Sequence, residues 1–270
     1  MKNMKKRVMA AFLTAAMVIA TFAPASAATL NANQYLNKMT KAANKAASYE
    51  MTTNVVQKAT MEGQAVDTKA VSKQTVFTNP IKSKSVTTTT ISGAGLNSKS
   101  KTTVYVKQNA KGKIYAYTST DGSKYEKMNM TGMVDDMSGL DIKSYSNAKI
   151  VKKNVKVNKI KTVQISAEIK GSDLGEVLAA AGLGSAEDGE DAIDYSTLAS
   201  VKVTIWVDKK TYLPVKVSTD MTEFLNSYMT VLYQSLGMDD MSVDYSEATS
   251  TATYTKFNHA KNFTFPKACK

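Results

Sequence analysis

The segment Ile160–Lys170 reads IKTVQISAEIK, and from Thr162 onward its polar and apolar residues alternate one by one. The apolar residues of its second half fall at every second position: Val163, Ile165, Ala167 and Ile169. Because successive side chains of a strand point to opposite faces, this alternation predicts a strand with one face in a core and the other in water. One-sided burial is typical of antiparallel sheets, so the segment indicates an antiparallel sheet with one covered face.

Runs rich in Thr, Val, Ser, Lys and Tyr continue on both sides of this segment, separated by turn residues. Asp121-Gly122, between two Tyr-containing runs, is the strongest hairpin signal. Short turns join antiparallel strands, whereas parallel strands need long crossovers, so the pairing is predicted to be antiparallel throughout. The predicted strands span residues 49–59, 67–78, 81–92, 101–108, 113–119, 123–129, 145–157, 160–170, 199–208 and 211–219, with a last hairpin over 247–265.

Helical spacing interrupts the strands at two or three places. Asn31 followed by Gln34 forms a capping-box pattern, and helical spacing of apolar residues continues to about Ser48. Asp173 and Glu176 begin a short second helix, which a glycine at position 182 or 184 ends. The sequence therefore places one helix before the first strand and another within the run of strands.

The third helix, residues 221–236, has an apolar stripe wider than half of its circumference. Asp220 and Glu223 stand at its beginning and Gly237 at its end. A stripe of this width predicts that the helix is buried on most sides. Residues 130–142, which contain several methionines, are predicted to form a short helix or a loop lid.

These elements predict an α+β fold: a single curved antiparallel sheet of about ten strands, a half-barrel, wrapped over two or three helices. Ten strands are difficult to keep flat, so the sheet is expected to bend. No linker composition divides residues 28–270, which are therefore predicted to form one domain.

Residues 1–27 have the organisation of a secretory signal peptide. Basic residues begin the segment, the apolar run Val8–Phe22 follows, and Ala25-Ser26-Ala27 provides a small-residue cleavage site. The apolar run is about fifteen residues long, shorter than the roughly 20 that a membrane-spanning helix needs. We therefore expect a secreted protein cleaved after Ala27, with an uncleaved anchor as the alternative.

The number and type of charged residues indicate which kinds of molecule this protein could bind. Removing residues 1–27, which carry four basic and no acidic residues, lowers the net charge from +12 to +8. Arg7 is the only arginine, and the lack of its planar fork in the mature chain argues against sequence-specific nucleic-acid binding. A diffuse lysine-rich surface suits an anionic cell-wall polymer or membrane surface, and charge could retain the protein at the wall. A solvated surface without a partner explains the same pattern.

The composition also restricts catalysis and metal binding. His259 and Cys269 are the only residues of their types, so no Cys/His zinc site or internal disulfide is expected. Cys269 lies near an end that is expected to fray. The acidic residues 187–194 lack the alternating register of a calcium loop and are predicted to be solvated. We therefore predict no cofactor, no metal and no enzymatic activity, although paired carboxylates could still meet in the fold.

Four segments resemble the LolA/LppX-like lipoprotein-carrier superfamily. They are the strand–turn–strand Thr204–Val217 (TIWVDKKTYLPVKV), Asp121–Lys127 (DGSKYEK), Tyr254–Asn258 (YTKFN) and Phe263–Lys267 (FTFPK). The pattern is most similar to secreted Gram-positive members. Many of those relatives carry a cysteine at the cleavage site, where this chain has Ala28, so no lipid anchor is expected.

The resemblance implies a curved sheet whose concave face encloses helices and an apolar cavity. Relatives carry or sense lipoproteins, glycolipids or lipids, and the family has no catalytic residues to transfer. It implies a non-catalytic envelope protein that binds a lipid, glycolipid or lipopeptide. The alternative is an envelope scaffold that uses its Lys-rich surface to hold wall polymers or a partner protein.

An apolar ligand is predicted to lie between the third helix and the adjoining strand–turn–strand. Methionines of the 128–137 segment, flexible apolar residues suited to adaptable pockets, are expected at its mouth. The helix and strand residues could instead fill one another's space, and the methionines could instead belong to the core or a lid. Thioether clusters can also bind Cu(I). The candidate ligand-binding residues are Val203, Ile205, Val215, Val217, Phe224, Tyr228, Met229, Leu232, Met130, Met133 and Met137.

Overall fold

All strands that the structure describes lie in one antiparallel sheet. The computed structural model describes residues 30–131, 145–174, 195–235, 237–238 and 241–269. Its elements are α1 (Ala32–Asn44), β1 (Ser48–Met61), β2 (Gln64–Thr78), β3 (Ile81–Gly93), β4 (Leu96–Gln108), β5 (Ile114–Ser119), β6 (Glu126–Asn129), β7 (Tyr145–Val157), β8 (Ile160–Ile169), β9 (Val201–Asp208), β10 (Pro214–Asp220), α2 (Thr222–Ser235) and β11 (Val243–Thr255), with 3₁₀ turns at Tyr195–Thr197 and Lys267–Cys269.

The strand order is β6-β5-β4-β3-β2-β1-β11-β10-β9-β8-β7, so the sheet is open, with β6 and β7 at its edges. Each of the ten predicted strand segments overlaps one of these strands, and the predicted single antiparallel sheet is confirmed. The Asp121-Gly122 turn is also confirmed, since the Asp121 carboxylate accepts the backbone N–H groups of Ser123 and Lys124 at 2.8 and 3.0 Å.

The predicted closing hairpin over 247–265 is wrong. β11 is one long strand between β1 and β10, and both of its edges are already paired. A returning strand therefore has no free edge to join beside β11. Instead, Asn258 binds the start of β1, its N–H donating to the Ser48 carbonyl at 2.7 Å, and the chain continues as an irregular tail.

Directly opposed residues on neighbouring strands share one face of a sheet. We call the face that packs against α1 and α2 the inner face, and the other the outer face. One row of opposed inner-face residues runs from β7 to β4 through Ile150, Ile165, Ile205, Val217, Ala252, Thr53, Ser72, Thr87 and Thr102.

The sheet curls around its helices. Tyr145 of β7 and Tyr254 of β11 are four strand spacings apart, roughly 19 Å in a flat sheet. The Tyr145 phenol nevertheless helps to raise the pKa of Tyr254, an electrostatic effect that weakens with distance, and this agrees with a curved sheet. α1 likewise packs against both β7 and β9. This curvature agrees with the predicted half-barrel.

Side-chain caps fix the beginning of both helices. The side-chain oxygen Oδ1 of Asn31 accepts the backbone N–H of Gln34 at 3.0 Å, and Oε1 of Gln34 accepts the backbone N–H of Asn31 at 2.8 Å. These two bonds confirm the capping box. The Asp220 carboxylate accepts the Thr222 N–H at 3.1 Å, whereas Glu223 pairs with Lys202. No helix in the described ranges is long and apolar enough to span a membrane.

Of the predicted second helix, only residues 171–174 are described, and they are helical. The signal segment, the acidic residues 187–194 and the predicted lid beyond residue 131 lie outside the described residues.

Candidate ligand-binding face

Five of the eleven predicted ligand-binding residues belong to a close-packed core. The five that belong to it are at most 4% exposed: Val203, Ile205, Phe224, Tyr228 and Met229. They pack with α1 side chains and with the inner face of β8. In this part of the protein, the side chains fill one another's space, which the sequence offered as the alternative to a pocket.

The other predicted residues lie around this core or away from it. Val217 and Leu232 are partly buried against it, and Val215 is 3% exposed but outside the cluster. Met130 is partly buried beside β5, where its N–H donates to the Ile114 carbonyl at 2.9 Å. Met133 and Met137 lie outside the described residues.

The inner face divides into two halves of different chemistry. The aliphatic half comprises β8 and β9, and its row residues Ile165 and Ile205 are both 0% exposed beneath the helices. The hydroxyl half comprises β1, β2 and β3, where Ser and Thr occupy the corresponding positions. Ala252 of β11 lies at the boundary, opposite Val217 on one side and Thr53 on the other.

In the hydroxyl half, the hydroxyls of Ser72, Ser85 and Thr87 are hydrogen-bonded to one another, whereas the Thr53 hydroxyl is not. Ser72 Oγ lies 2.9 Å from Ser85 Oγ and accepts a hydrogen bond from Thr87 Oγ1 at 3.0 Å. Thr53 is 1% exposed, and its hydroxyl has no hydrogen-bond partner in the described structure. A buried hydroxyl without a partner is destabilising by about 1–3 kcal/mol.

Three partly exposed phenols lie on the inner face: Tyr49 and Tyr254 on the paired strands β1 and β11, and Tyr145 on the edge strand β7. Burial raises the pKa of Tyr49, Tyr145 and Tyr254 above the ordinary tyrosine value. All three side chains nevertheless keep part of their surface accessible. The Tyr49 and Tyr254 rings are adjacent, with centroids 6.0 Å apart.

A fourth phenol lies where α2 meets β11. Burial, together with the nearby Tyr233 phenol, raises the pKa of Tyr245 to about 12. The Asn226 side chain holds the Tyr245 backbone at both ends, accepting its N–H at 2.7 Å and donating to its carbonyl at 3.0 Å. Phenols with raised pKa values stay protonated at neutral pH, so they donate and accept hydrogen bonds rather than act as bases.

Sequence reasoning missed the phenols and the Thr53 hydroxyl. The alternation of Met51, Thr53 and Val55 indicates that these residues share a face, but not which strand lies beside them. Only the pairing of β1 with the distant β11 joins Tyr49 to Tyr254. Among the described residues, no three His, Cys, Asp or Glu side chains are grouped so that they could hold a metal ion.

One protein family and several solved structures are similar to this chain. A family described as "Family of unknown function (DUF6612)" matches residues 31–270. No curated protein is detectably similar.

Among solved structures, a DUF1329 family protein from Desulfovibrio piger is 7% identical, with a TM-score of 0.26, and the match covers 86% of this chain and 93% of that one. A putative outer membrane lipoprotein-sorting protein domain from Vibrio parahaemolyticus is 9% identical, with a TM-score of 0.28 and coverage of 83% and 89%. A beta-barrel-like DUF1849 protein from Brucella abortus is 10% identical, with a TM-score of 0.17 and coverage of 78% and 96%. At such low TM-scores, these likenesses carry no argument about fold or ligand.

Proposed function

The chain belongs to DUF6612, a family of unknown function, and from its own geometry we propose that it is a non-catalytic binding protein for an amphiphile. The supporting observation is the set of buried but partly accessible phenols, Tyr49, Tyr145 and Tyr254. Tyr49 and Tyr254 lie on the paired strands β1 and β11 and Tyr145 lies on the edge strand β7, all on the curved face that also carries the aliphatic and hydroxyl halves. We further propose that the protein is exported after cleavage of residues 1–27.

The two halves suit the two parts of an amphiphile such as a lipid, glycolipid or lipopeptide. An acyl chain extends along the rim of the aliphatic core, past Val217 and Leu232, where apolar side chains are only partly covered. Each methylene that leaves water there contributes about 0.8 kcal/mol. The five close-packed residues of the core support this contact from below rather than touch the ligand.

The polar part of the ligand lies toward β1, β2 and β11. The Thr53 hydroxyl and the phenols of Tyr49 and Tyr254 offer uncharged donors and acceptors there. A uniformly apolar ligand would leave these groups without partners in a buried site, which is unfavourable. The geometry therefore favours a ligand with hydroxyl, amide or ester groups at one end.

The test uses native mass spectrometry of the purified protein, lipid extraction, and displacement of a fluorescent fatty-acid probe. We expect co-purifying amphiphile and saturable probe binding. Ala252→Trp fills the boundary between the two halves and should abolish probe binding. Thr253→Trp is the matched control, because Thr253 lies on the outer face opposite Thr52 and Lys216.

Circular dichroism and thermal unfolding establish that both tryptophan variants are folded. Protein without extractable lipid that also binds no probe would contradict the proposal. Equal probe binding by a folded Ala252→Trp variant and by Thr253→Trp would contradict the location on the inner face.

A further inference from the structure

The outer face carries an open groove of about 510 Å³ beside the C-terminal tail, residues 259–269. The groove lies opposite the amphiphile site, on the other face of the sheet. Its lining residues are Lys84, Tyr105, Asn262, Phe263, Thr264, Phe265 and Pro266.

Aromatic packing fixes the tail to the sheet. The ring centroids of Phe263 and Phe265 lie 6.1 and 5.6 Å from that of Tyr105. Cys269 is 0% exposed in the same cluster, and Lys107 Nζ donates to its carbonyl at 2.7 Å. The expectation of a frayed end is therefore wrong for these residues, and the groove has two fixed walls.

Lysines surround the groove and its aromatic cluster. Three of their ammonium groups lie over aromatic rings, at these distances from Nζ to the ring centroid: 4.5 Å for Lys82 and Phe77, 5.6 Å for Lys84 and Tyr105, and 4.3 Å for Lys127 and Tyr115. Lys82 and Lys107 are directly opposed on β3 and β4, a like-charge pairing that is destabilising by itself. The ion pairs found among described residues involve other lysines: Lys58, Lys202 and Lys256.

We infer that this groove binds an acidic polysaccharide, with sugar rings against the aromatic side chains and carboxylates beside the lysines. An anionic ligand offsets the repulsion between the opposed lysines, and the apolar faces of sugar rings fit the half-buried phenylalanines. The inference is independent of the amphiphile site.

The ring geometry favours a sugar over a nucleobase. Single-stranded nucleic acid binds by stacking flat bases on aromatic faces. Here the rings are tilted by 47° between Tyr105 and Phe265, 52° between Tyr105 and Phe263, and 59° between the two phenylalanines. No pair of these three rings offers parallel faces between which a base could insert.

Isothermal titration calorimetry of the purified protein with polygalacturonate tests the inference. We expect saturable binding that weakens with added salt, and no binding of neutral dextran. Lys84→Gln should weaken binding about fivefold or more. Lys216→Gln, the matched control, should leave the affinity unchanged. Lys216 lies on the distant half of the outer face, where its Nζ is 4.7 Å from the centroid of the Trp206 ring.

Phe265→Leu keeps an apolar side chain but removes the ring, and it should also weaken binding. Protection of the Cys269 thiol from an alkylating reagent shows whether the tail remains in place in this variant. The inference is overturned if polygalacturonate does not bind, or if Lys216→Gln and Lys84→Gln weaken binding equally. It is also overturned if polyphosphate or single-stranded DNA competes as well as polygalacturonate itself.

Discussion

The two halves of the inner face have the same strand alternation but opposite chemistry. In β8 and β9 the inward positions are aliphatic, and Ile165 and Ile205 are fully covered. In β2 and β3 the corresponding inward positions hold Ser and Thr, and Ser72 and Ser85 bind one another. Both helices belong to the core of the aliphatic half.

This difference teaches that alternation decides which side chains point inward, whereas their chemistry decides what can cover them. Removing aliphatic side chains from water stabilises the fold, so helices with apolar stripes pack on them. Hydroxyls must keep hydrogen-bond partners, so they suit a ligand with polar groups or pair among themselves. A boundary between the halves is therefore a natural place for an amphiphile.

The largest expected difference between the two halves is in the free energy of unfolding after one inward side chain of each half is truncated to alanine. Ile205→Ala should lower the free energy of unfolding by about 2–5 kcal/mol, because it leaves a cavity in a close-packed core. Ser85→Ala should cost only about 1 kcal/mol, the usual contribution of one hydrogen bond. Urea unfolding measures both, and similar losses would contradict the division into two halves.

Alkaline pH should destabilise the folded protein in part through Tyr245, which lies where α2 meets β11. The pKa of Tyr245 rises from 10.0 to about 12 on folding, so the folded state holds this proton more tightly than the unfolded state. Its contribution is fully present below pH 10 and is lost as the pH rises from 10 to about 12, which amounts to at most about 3 kcal/mol.

Urea unfolding between pH 9 and about pH 11.5 measures this loss. The free energy of unfolding should fall less steeply with rising pH in Tyr245→Phe than in the unchanged protein. The titration of lysines affects both proteins alike. Identical slopes would mean that water reaches Tyr245 in the folded state.

The smallest expected effect concerns the single unpartnered hydroxyl of the network. Thr53→Val should raise the free energy of unfolding by about 1 kcal/mol, since it removes a buried hydroxyl without a partner. Ser72→Ala should lower it by a similar amount, because Ser72 has two hydroxyl partners. If Thr53→Val is destabilising instead, its hydroxyl has a partner in the ligand-free protein.

Local rules predicted much of the fold. Strand-type composition, turn residues and alternation located the ten strand segments before β11, and the Asn31 capping box and the Asp121-Gly122 turn depend on residues a few positions apart. The prediction failed at the closing hairpin, because β11 pairs with β1, almost two hundred residues earlier in sequence. No local pattern records a partner at such a distance.

The candidate site shows the same limit. Apolar residues on α2 and β9 were correctly expected to meet, but local patterns do not reveal whether they leave space between them. Tight packing depends on side-chain volumes from several elements at once. The phenols that border the proposed site come from β1, β7 and β11, which only the curvature of the sheet brings together.

The sequence by itself determined the strand positions, the inward-facing residues of each strand and the lysine-rich charge of the chain, because these depend on spacing and composition. Tertiary structure alone decided that Thr53 lies beside Ala252, that the Tyr145 phenol helps to raise the pKa of Tyr254, and that the C-terminal tail packs on Tyr105. Register and curvature are set by the summed packing of many distant residues, so both proposed sites arise from contacts that no single segment encodes.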